Sequence, residues 1–272
     1  MKTFPKSVIL LFVILTAAVS MTALTVSWAL THAENTDMPE APRLIAHAGG
    51  EIYGIRLTNS LQALNNSYKE GFRFFEVDIS KTSDGVPVLV HDWGNTNWFR
   101  NVKYSTRPAS YKEFKSGSTI LGLKLMDLDM LTDWLSEHSD SFIITDVKDD
   151  NAGLLRTIVQ RYPGMAGQTI PQIYSFEEYD IVRDMGYDHI MLTLYKLDDP
   201  ADEIKAFCDN HELFGVSLPV DRCTGDYLKK LIGLEIPMFA HTINDYNTYV
   251  KVRDKGIYGV YADYFQPSAW VE

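Results

Sequence analysis

Glu76 and Asp78 stand two residues apart in the run Phe74-Phe75-Glu76-Val77-Asp78-Ile79. On a strand, residues at i and i+2 share one face. Two carboxylates on one face of an otherwise apolar strand are costly to bury unless something compensates them. A hard divalent cation, Ca²⁺ or Mg²⁺, would do so with oxygen ligands; an edge strand with both acids in solvent would give the same pattern. Asp146 and Lys148 repeat the spacing in Phe142-Ile143-Ile144-Thr145-Asp146-Val147-Lys148. Asp146 could complete a cation site and Lys148 could meet a phosphate oxygen as a point charge, or the two could form a local ion pair at a strand end.

Two histidines close other apolar runs. His47 follows Ile45-Ala46, and His91 follows Val88-Leu89-Val90. Imidazole titrates near neutrality and suits proton transfer, although a single histidine is more often a packed or solvated residue. Two at matching strand ends, with three acids at others, favour a site. His241 also ends a strand, whereas His32, His138, His189 and His211 read as linker or surface. Gly49 and Gly50 after His47 permit close backbone approach to a ligand, and a tight loop would explain them equally well. Trp93, Trp98, Phe99 and Tyr104 after His91 could wall a substrate or simply pack a loop. Ser175 lacks a Gly-x-Ser-x-Gly elbow, which argues against a serine hydrolase.

Positioning these groups requires strands that end together. Apolar runs at 43–47, 74–79, 87–91, 142–147, 172–175, 189–194, 214–218, 237–241 and 258–262 read as strands, most of them apolar throughout, as in parallel sheets covered on both faces. Helical spacing recurs between them, at 59–70, 125–135, 152–162, 176–185, 200–210, 226–233 and 244–255. Gly71 and Gly256 stop the first and last, and Asn244 is a cap candidate for the last. This alternation predicts an α/β fold, a (β/α)8 TIM barrel, preceded by an N-terminal hydrophobic helix. One strand is surplus to eight. Only 80–86, with the turn Ser83-Asp84-Gly85, separates the second run from the third, too short for a helical crossover; a hairpin or a helix-free return fits there.

The chain has 272 residues, 46% hydrophobic and 22% charged, with a net charge of -11. No basic face is evident, so nucleic acid is not an expected partner. Lys2 and Lys6 precede an apolar run from Val8 to Leu30, long enough to span a bilayer with the N-terminus inside. Residues 1–33 therefore read as a signal anchor or, with a cleavage site near Thr31-His32-Ala33, a signal peptide. Residues 34–42 read as a linker and 43–272 as the barrel, placed outside the cytoplasm, either membrane-anchored or secreted. Cys208 and Cys223 could pair there, or remain small buried thiols.

At these residues the sequence resembles the glycerophosphodiester phosphodiesterase family, within the phospholipase C-like phosphodiesterase barrels. The shared motifs are His47-Ala48-Gly49, Thr58-Asn59-Ser60, Glu76-Val77-Asp78, Thr82-Ser83-Asp84-Gly85, His91-Asp92, Asp146-Val147-Lys148, Ser175-Phe176, His241-Thr242-Ile243-Asn244 and Ala262-Asp263. The run from Glu76 to Asp92 is the most specific. The resemblance implies a divalent cation held by Glu76, Asp78 and Asp146, His47 and His91 as the catalytic acid/base pair, and Lys148, Gly49 and Trp93 toward the substrate. It implies hydrolysis of a glycerophosphodiester, or a related lipid or cell-envelope phosphodiester, to an alcohol and a phosphomonoester.

The departures are specific. Ala48 stands where the family has arginine, Thr58 where it has glutamate, and Asp146 where it has glutamate. Loss of the arginine weakens phosphate binding unless Arg56 or another residue substitutes. It also motivates a second expectation, a non-catalytic envelope binding protein on the same barrel. A glycosidase needs two carboxyls flanking a bond rather than acids interleaved with histidines, and is disfavoured.

Overall fold

The computed structural model describes residues 39–102 and 105–264. The expected anchor segment and Tyr104 lie outside the described residues. The strands are β1 (Leu44–Ala46), β2 (Phe74–Lys81), β3 (Pro87–Leu89), β4 (Phe142–Val147), β5 (Thr169–Ile173), β6 (Met191–Thr193), β7 (Gly215–Pro219), β8 (Met238–His241) and β9 (Gly259–Ala262). The helices are α1 (Leu61–Lys69), α2 (Trp93–Phe99), α3 (Tyr111–Ser116), α4 (Leu128–Glu137), α5 (Asn151–Arg161), α6 (Pro163–Ala166), α7 (Glu178–Asp184), α8 (Ala201–Asn210), α9 (Gly225–Leu231) and α10 (Tyr246–Arg253).

The sheet runs β1-β9-β8-β7-β6-β5-β4-β2-β3, and an additional parallel pairing of Ala46 with Phe75 joins β1 to β2. Eight parallel strands thereby close into a barrel. β3 is the surplus strand: it pairs antiparallel with the far end of β2, Ile79 opposite Leu89. The turn that makes this hairpin is chemically specified. Gly85 adopts φ 82°, its amide donates to Thr82 O (2.9 Å), and Thr82 Oγ1 donates to Asp84 Oδ1 (2.7 Å).

Alternation along each strand divides its side chains between two apolar regions. Phe75, Val77, Ile79, Ile143, Val147, Val216, Leu218 and Val260 share one cluster with the helix residues Leu131, Leu154, Ile204 and Leu228. Ile45, Phe74, Ile144, Ile170, Met191, Phe214, Phe239 and Tyr261 form the other, the barrel interior. That interior changes character along the strands. Its apolar residues give way, two positions further on, to Glu76, Asp146, Gln172, Thr193 and His241. The C-terminal ends of the strands are therefore polar by the same period-two pattern that fills the opposite end with hydrocarbon.

The helices start on side-chain caps. Ser60 accepts from the Ala63 amide (3.3 Å), Asp127 from Met130 (2.9 Å) and Asp150 from Gly153 (2.9 Å). The last helix is capped by Asp245, which accepts from Thr248 N (2.8 Å), not by Asn244 as the sequence suggested. The fifth strand lies at 169–173 rather than 172–175, since Thr169 and Ile170 are buried in the barrel while Tyr174 has left it. Three helices, α2, α3 and α6, were not foreseen; α2 and α3 fill the excursion between β3 and α4. Cys208 and Cys223 are two separate buried thiols, not a disulfide. No helix among the described residues is long and apolar enough to cross a membrane.

Candidate metal and catalytic centre

β2 and β4 pair with Asp78 opposite Asp146 and Glu76 opposite Ile144. This register brings Glu76, Asp78 and Asp146 together, with one ligand atom from each within 4.8 Å of the others. Glu76 and Asp78 are 3% and 1% exposed, so the solvated edge-strand alternative does not hold. Burial, then the charge of Asp78, pushes the Glu76 carboxyl well above the usual carboxylate range. Lys148 answers part of that charge. Its Nζ lies 2.6 Å from both Asp78 Oδ1 and Asp146 Oδ2. An ammonium held between two carboxylates marks a place where positive charge is stabilised, and the all-oxygen donor set suits a hard divalent cation. The residues present fit such an ion.

Each carboxylate is held by other partners. The amide of Ala48 donates to Glu76 Oε2 (2.7 Å). Asn59 clasps Asp78 twice, donating through Nδ2 to Oδ2 (2.9 Å) and accepting from the Asp78 amide (3.0 Å). Both Ala48 and Asn59 have left-handed φ, 49° and 46°. Asp146 Oδ1 accepts from the hydroxyls of Tyr174 (2.7 Å) and Tyr195 (2.8 Å). Although burial works against ionisation, Lys148 and these hydroxyls keep the Asp146 carboxyl below its ordinary range.

His47 sits in the single turn after β1. Its Nδ1–H donates to Asp263 Oδ1 (2.8 Å), and its Nε2 lies 4.0 Å from Glu76 Oε2. Asp263 is in turn fixed by Asn244, through Nδ2 to Oδ2 (2.5 Å) and from its own amide to Asn244 Oδ1 (2.8 Å). Burial disfavours a charged imidazole here, but the bond to Asp263 and the charges of Glu76, Asp263 and Asp78 outweigh it and raise the pKa to about 9. Arg56 Nε approaches Asp263 Oδ2 at 3.7 Å. A guanidinium thus stands beside the partner of His47.

A small cleft of about 40 Å³ is lined by His47, Glu76, Asp146, Gln172, Thr193, Tyr195, Ser217, His241 and Tyr261. His241, expected only as a strand end, belongs to this wall, and burial holds its pKa down to about 4. His91 is not in the lining. It is about one-third exposed, donates from Nδ1 to Asp92 Oδ2 (3.1 Å), and lies one residue beyond Val90, whose amide donates to Asp78 O (2.9 Å). Trp93 is buried in a satellite cluster with Val88, Val90, Ala109, Phe114 and Leu125, and packs edge-on to Phe114. Gly49 has φ 76°, and a Cβ there would fall 2.4 Å from Leu64 Cδ1, so local packing already demands glycine.

His138, His189 and His211 are packing groups rather than surface ones, and His32 lies outside the described residues. His138 stacks on Trp134 (4.2 Å) and His211 on Phe207 (4.0 Å), while both ring nitrogens of His189 are buried without partners. Tyr174, Tyr195 and the linkage of Asn244 to Asp263 were not assigned from the sequence. No periodicity marks them, because they enter from loops beyond the strand ends.

Fold and site together define an α/β barrel with a candidate cation centre and a carboxylate-held histidine at the C-terminal ends of its strands. Residues 47–165 match the model of the glycerophosphoryl diester phosphodiesterase family. Glycerophosphoinositol inositolphosphodiesterase GDPD2 of Homo sapiens is 37% identical over 59 residues, which are 22% of this chain and 11% of that protein. The alignment thus spans about a tenth of that relative. Among solved structures, a putative glycerophosphodiester phosphodiesterase from Galdieria sulphuraria superposes with a TM-score of 0.67 at 14% identity, over 84% of this chain and 97% of that one. A phosphodiesterase from Oleispira antarctica, in complex with the product sn-glycerol-3-phosphate, gives a TM-score of 0.64 at 16% identity, over 84% and 95%. At those identities the likeness shows the fold.

Proposed function

We propose that this protein hydrolyses a glycerophosphodiester, or a related lipid or cell-envelope phosphodiester, to an alcohol and a phosphomonoester, with a divalent cation at Glu76, Asp78 and Asp146. The convergence of those three carboxylates beside His47 carries the reading. When bound, the ion would offset phosphate charge and polarise the phosphorus for attack. Lys148 stands ready to meet a phosphate oxygen as a compact point charge. His47 presents Nε2 toward the cleft because Asp263 takes its Nδ1–H, so one nitrogen is oriented to exchange a proton with a hydroxyl at the phosphorus.

His91 is the second acid/base group. It stands outside the lining of the cleft, with Nδ1 held by Asp92 and an exposed edge, and would serve an alcohol that projects beyond the cleft. A neighbouring substrate hydroxyl gives its proton to one histidine and bonds to phosphorus while the other protonates the departing alcohol; water then opens the resulting cyclic phosphodiester, the two histidines exchanging roles, to leave the phosphomonoester. The basic-then-apolar N-terminal sequence supports an extracytoplasmic location, anchored or secreted, near such substrates.

The test is hydrolysis of glycerophosphocholine, glycerophosphoethanolamine, glycerophosphoinositol and bis(p-nitrophenyl) phosphate with Ca²⁺, Mg²⁺ or EDTA. Turnover that EDTA abolishes, and that His47→Ala lowers by about 10²- to 10⁴-fold, is expected. Glu76→Ala should also abolish it. Folded protein that binds ions but turns over none of these esters would instead favour a binding role.

A further inference from the structure

The three carboxylates do not offer their oxygens equally. Glu76 Oε2 already accepts the Ala48 amide (2.7 Å), and Asp78 Oδ2 accepts Asn59 Nδ2 (2.9 Å). Asp146 Oδ1 accepts two hydroxyls, from Tyr174 at 2.7 Å and Tyr195 at 2.8 Å. Two donors occupy both lone-pair directions of a carboxylate oxygen. The Lys148 ammonium lies 2.6 Å from Asp78 Oδ1 and Asp146 Oδ2, the oxygens that these neighbours leave open. The positive charge found in the cluster is thus placed on the open oxygens.

Cations differ in what they ask of such a site. Ca²⁺ takes six to eight oxygens in flexible geometry and commonly draws both oxygens of a carboxylate. Mg²⁺ demands an octahedron and completes it with water, using one oxygen from each of a few carboxylates. A carboxylate whose second oxygen is held by protein donors can serve Mg²⁺ fully but Ca²⁺ only in part. We propose that Tyr174 and Tyr195 are positioning residues that restrict Asp146 to one ligand oxygen and thereby bias the centre toward Mg²⁺ over Ca²⁺.

The tyrosines matter most because Asp146 has the shorter side chain where the family has glutamate. A shorter arm has less reach with which to turn both oxygens toward an ion. Two hydroxyls arriving from the β5 and β6 ends fix its rotation. Tyr174 is itself tied to β4, because its hydroxyl also accepts the Val147 amide (2.5 Å). The second oxygen of Asp146 is therefore withheld by groups anchored in the barrel frame.

This inference rests on the proposed cation centre and is tested by binding, without turnover. Calorimetric titration of the EDTA-stripped full chain with Mg²⁺ and with Ca²⁺ gives the ratio of their affinities. Mg²⁺ should bind the more tightly, and Tyr174→Phe with Tyr195→Phe should move the ratio toward Ca²⁺ by about tenfold, the scale on which groups behind metal ligands act. Tyr195→Phe alone should move it part of the way, and is the milder change because the Val147 amide keeps its partner. Thermal unfolding of each variant in EDTA reports on the fold separately. Tighter Ca²⁺ binding by the unaltered chain, or a ratio that does not move in folded variants, overturns the inference while leaving the cation centre standing. No binding of either ion overturns both.

Discussion

A side chain can be recognised by its own spacing or only by what surrounds it. Glu76, Asp78, Asp146 and Lys148 belong to the first kind: charges at i and i+2 on apolar strands are conspicuous, and the barrel brings all four together. His47 was conspicuous as a strand end. Asp263, Asn59, Tyr174 and Tyr195 belong to the second kind, since nothing in their local sequence requires them to face a carboxylate or an imidazole. Their roles follow from contacts between segments as much as 216 residues apart, as for His47 and Asp263. Asp263→Asn is the sharpest test of such a contact. It keeps the shape but weakens the acceptor that orients His47. It should lower kcat by about 10²-fold with little change in KM, as loss of one general acid/base group does; steady-state kinetics over the neutral range would read it.

Among the elements, the strand pattern was legible because burial on both faces leaves long apolar runs. The one structural ambiguity, two strands joined by a short link, resolved as the β2–β3 hairpin for the reason visible in Thr82 to Gly85. The excursion from Trp93 to Ser116 was not legible. Its two short helices have too few turns to show a periodicity, and are set by caps and a satellite core. Asp127 ties that excursion down. It caps α4 and accepts from Lys115 Nζ (2.7 Å) and the Tyr111 hydroxyl (2.8 Å). Burial alone would raise its carboxyl, but these donors hold it below the ordinary range. Asp127→Ala should cost about 1–2 kcal/mol through the lost cap alone. Since the folded pKa is the lower one, the contribution of Asp127 is complete above the unfolded carboxylate range and disappears as pH falls through the folded value. Urea unfolding at pH 7 and again in strong acid should show the gap between Asp127→Asn and the unaltered protein shrinking at the acid end.

On the scale of the molecule, the barrel is a gradient from hydrocarbon to charge, and that gradient was predictable wherever strands end in polar residues. What escaped the sequence was the fate of the histidines taken as surface. His189 shows the cost: burial pulls its pKa below the usual value, chiefly by desolvation, and its ring lies 6.5 Å from that of Phe214. The unfolded chain protonates this imidazole at about pH 6.5, while the folded chain resists. Stability from the neutral ring is therefore complete above that pH and is lost as pH falls through it. His189→Phe should unfold at a higher temperature than the unaltered protein at pH 5, with a smaller advantage at pH 8; scanning calorimetry at the two pH values would show it.

The two buried cysteines carry a consequence for time rather than structure. Burial pushes both thiols up to about 12, so at neutral pH each is protonated as well as covered. A thiolate is the reactive form, and reagent meets these sulfurs only when the packing around Cys208 in α8, or around Cys223 just before α9, comes apart. Modification by a maleimide in dilute urea would then proceed at the pace of that opening. Without any introduced dye or label, the two sulfur atoms serve as clocks for how often this flank of the barrel breathes.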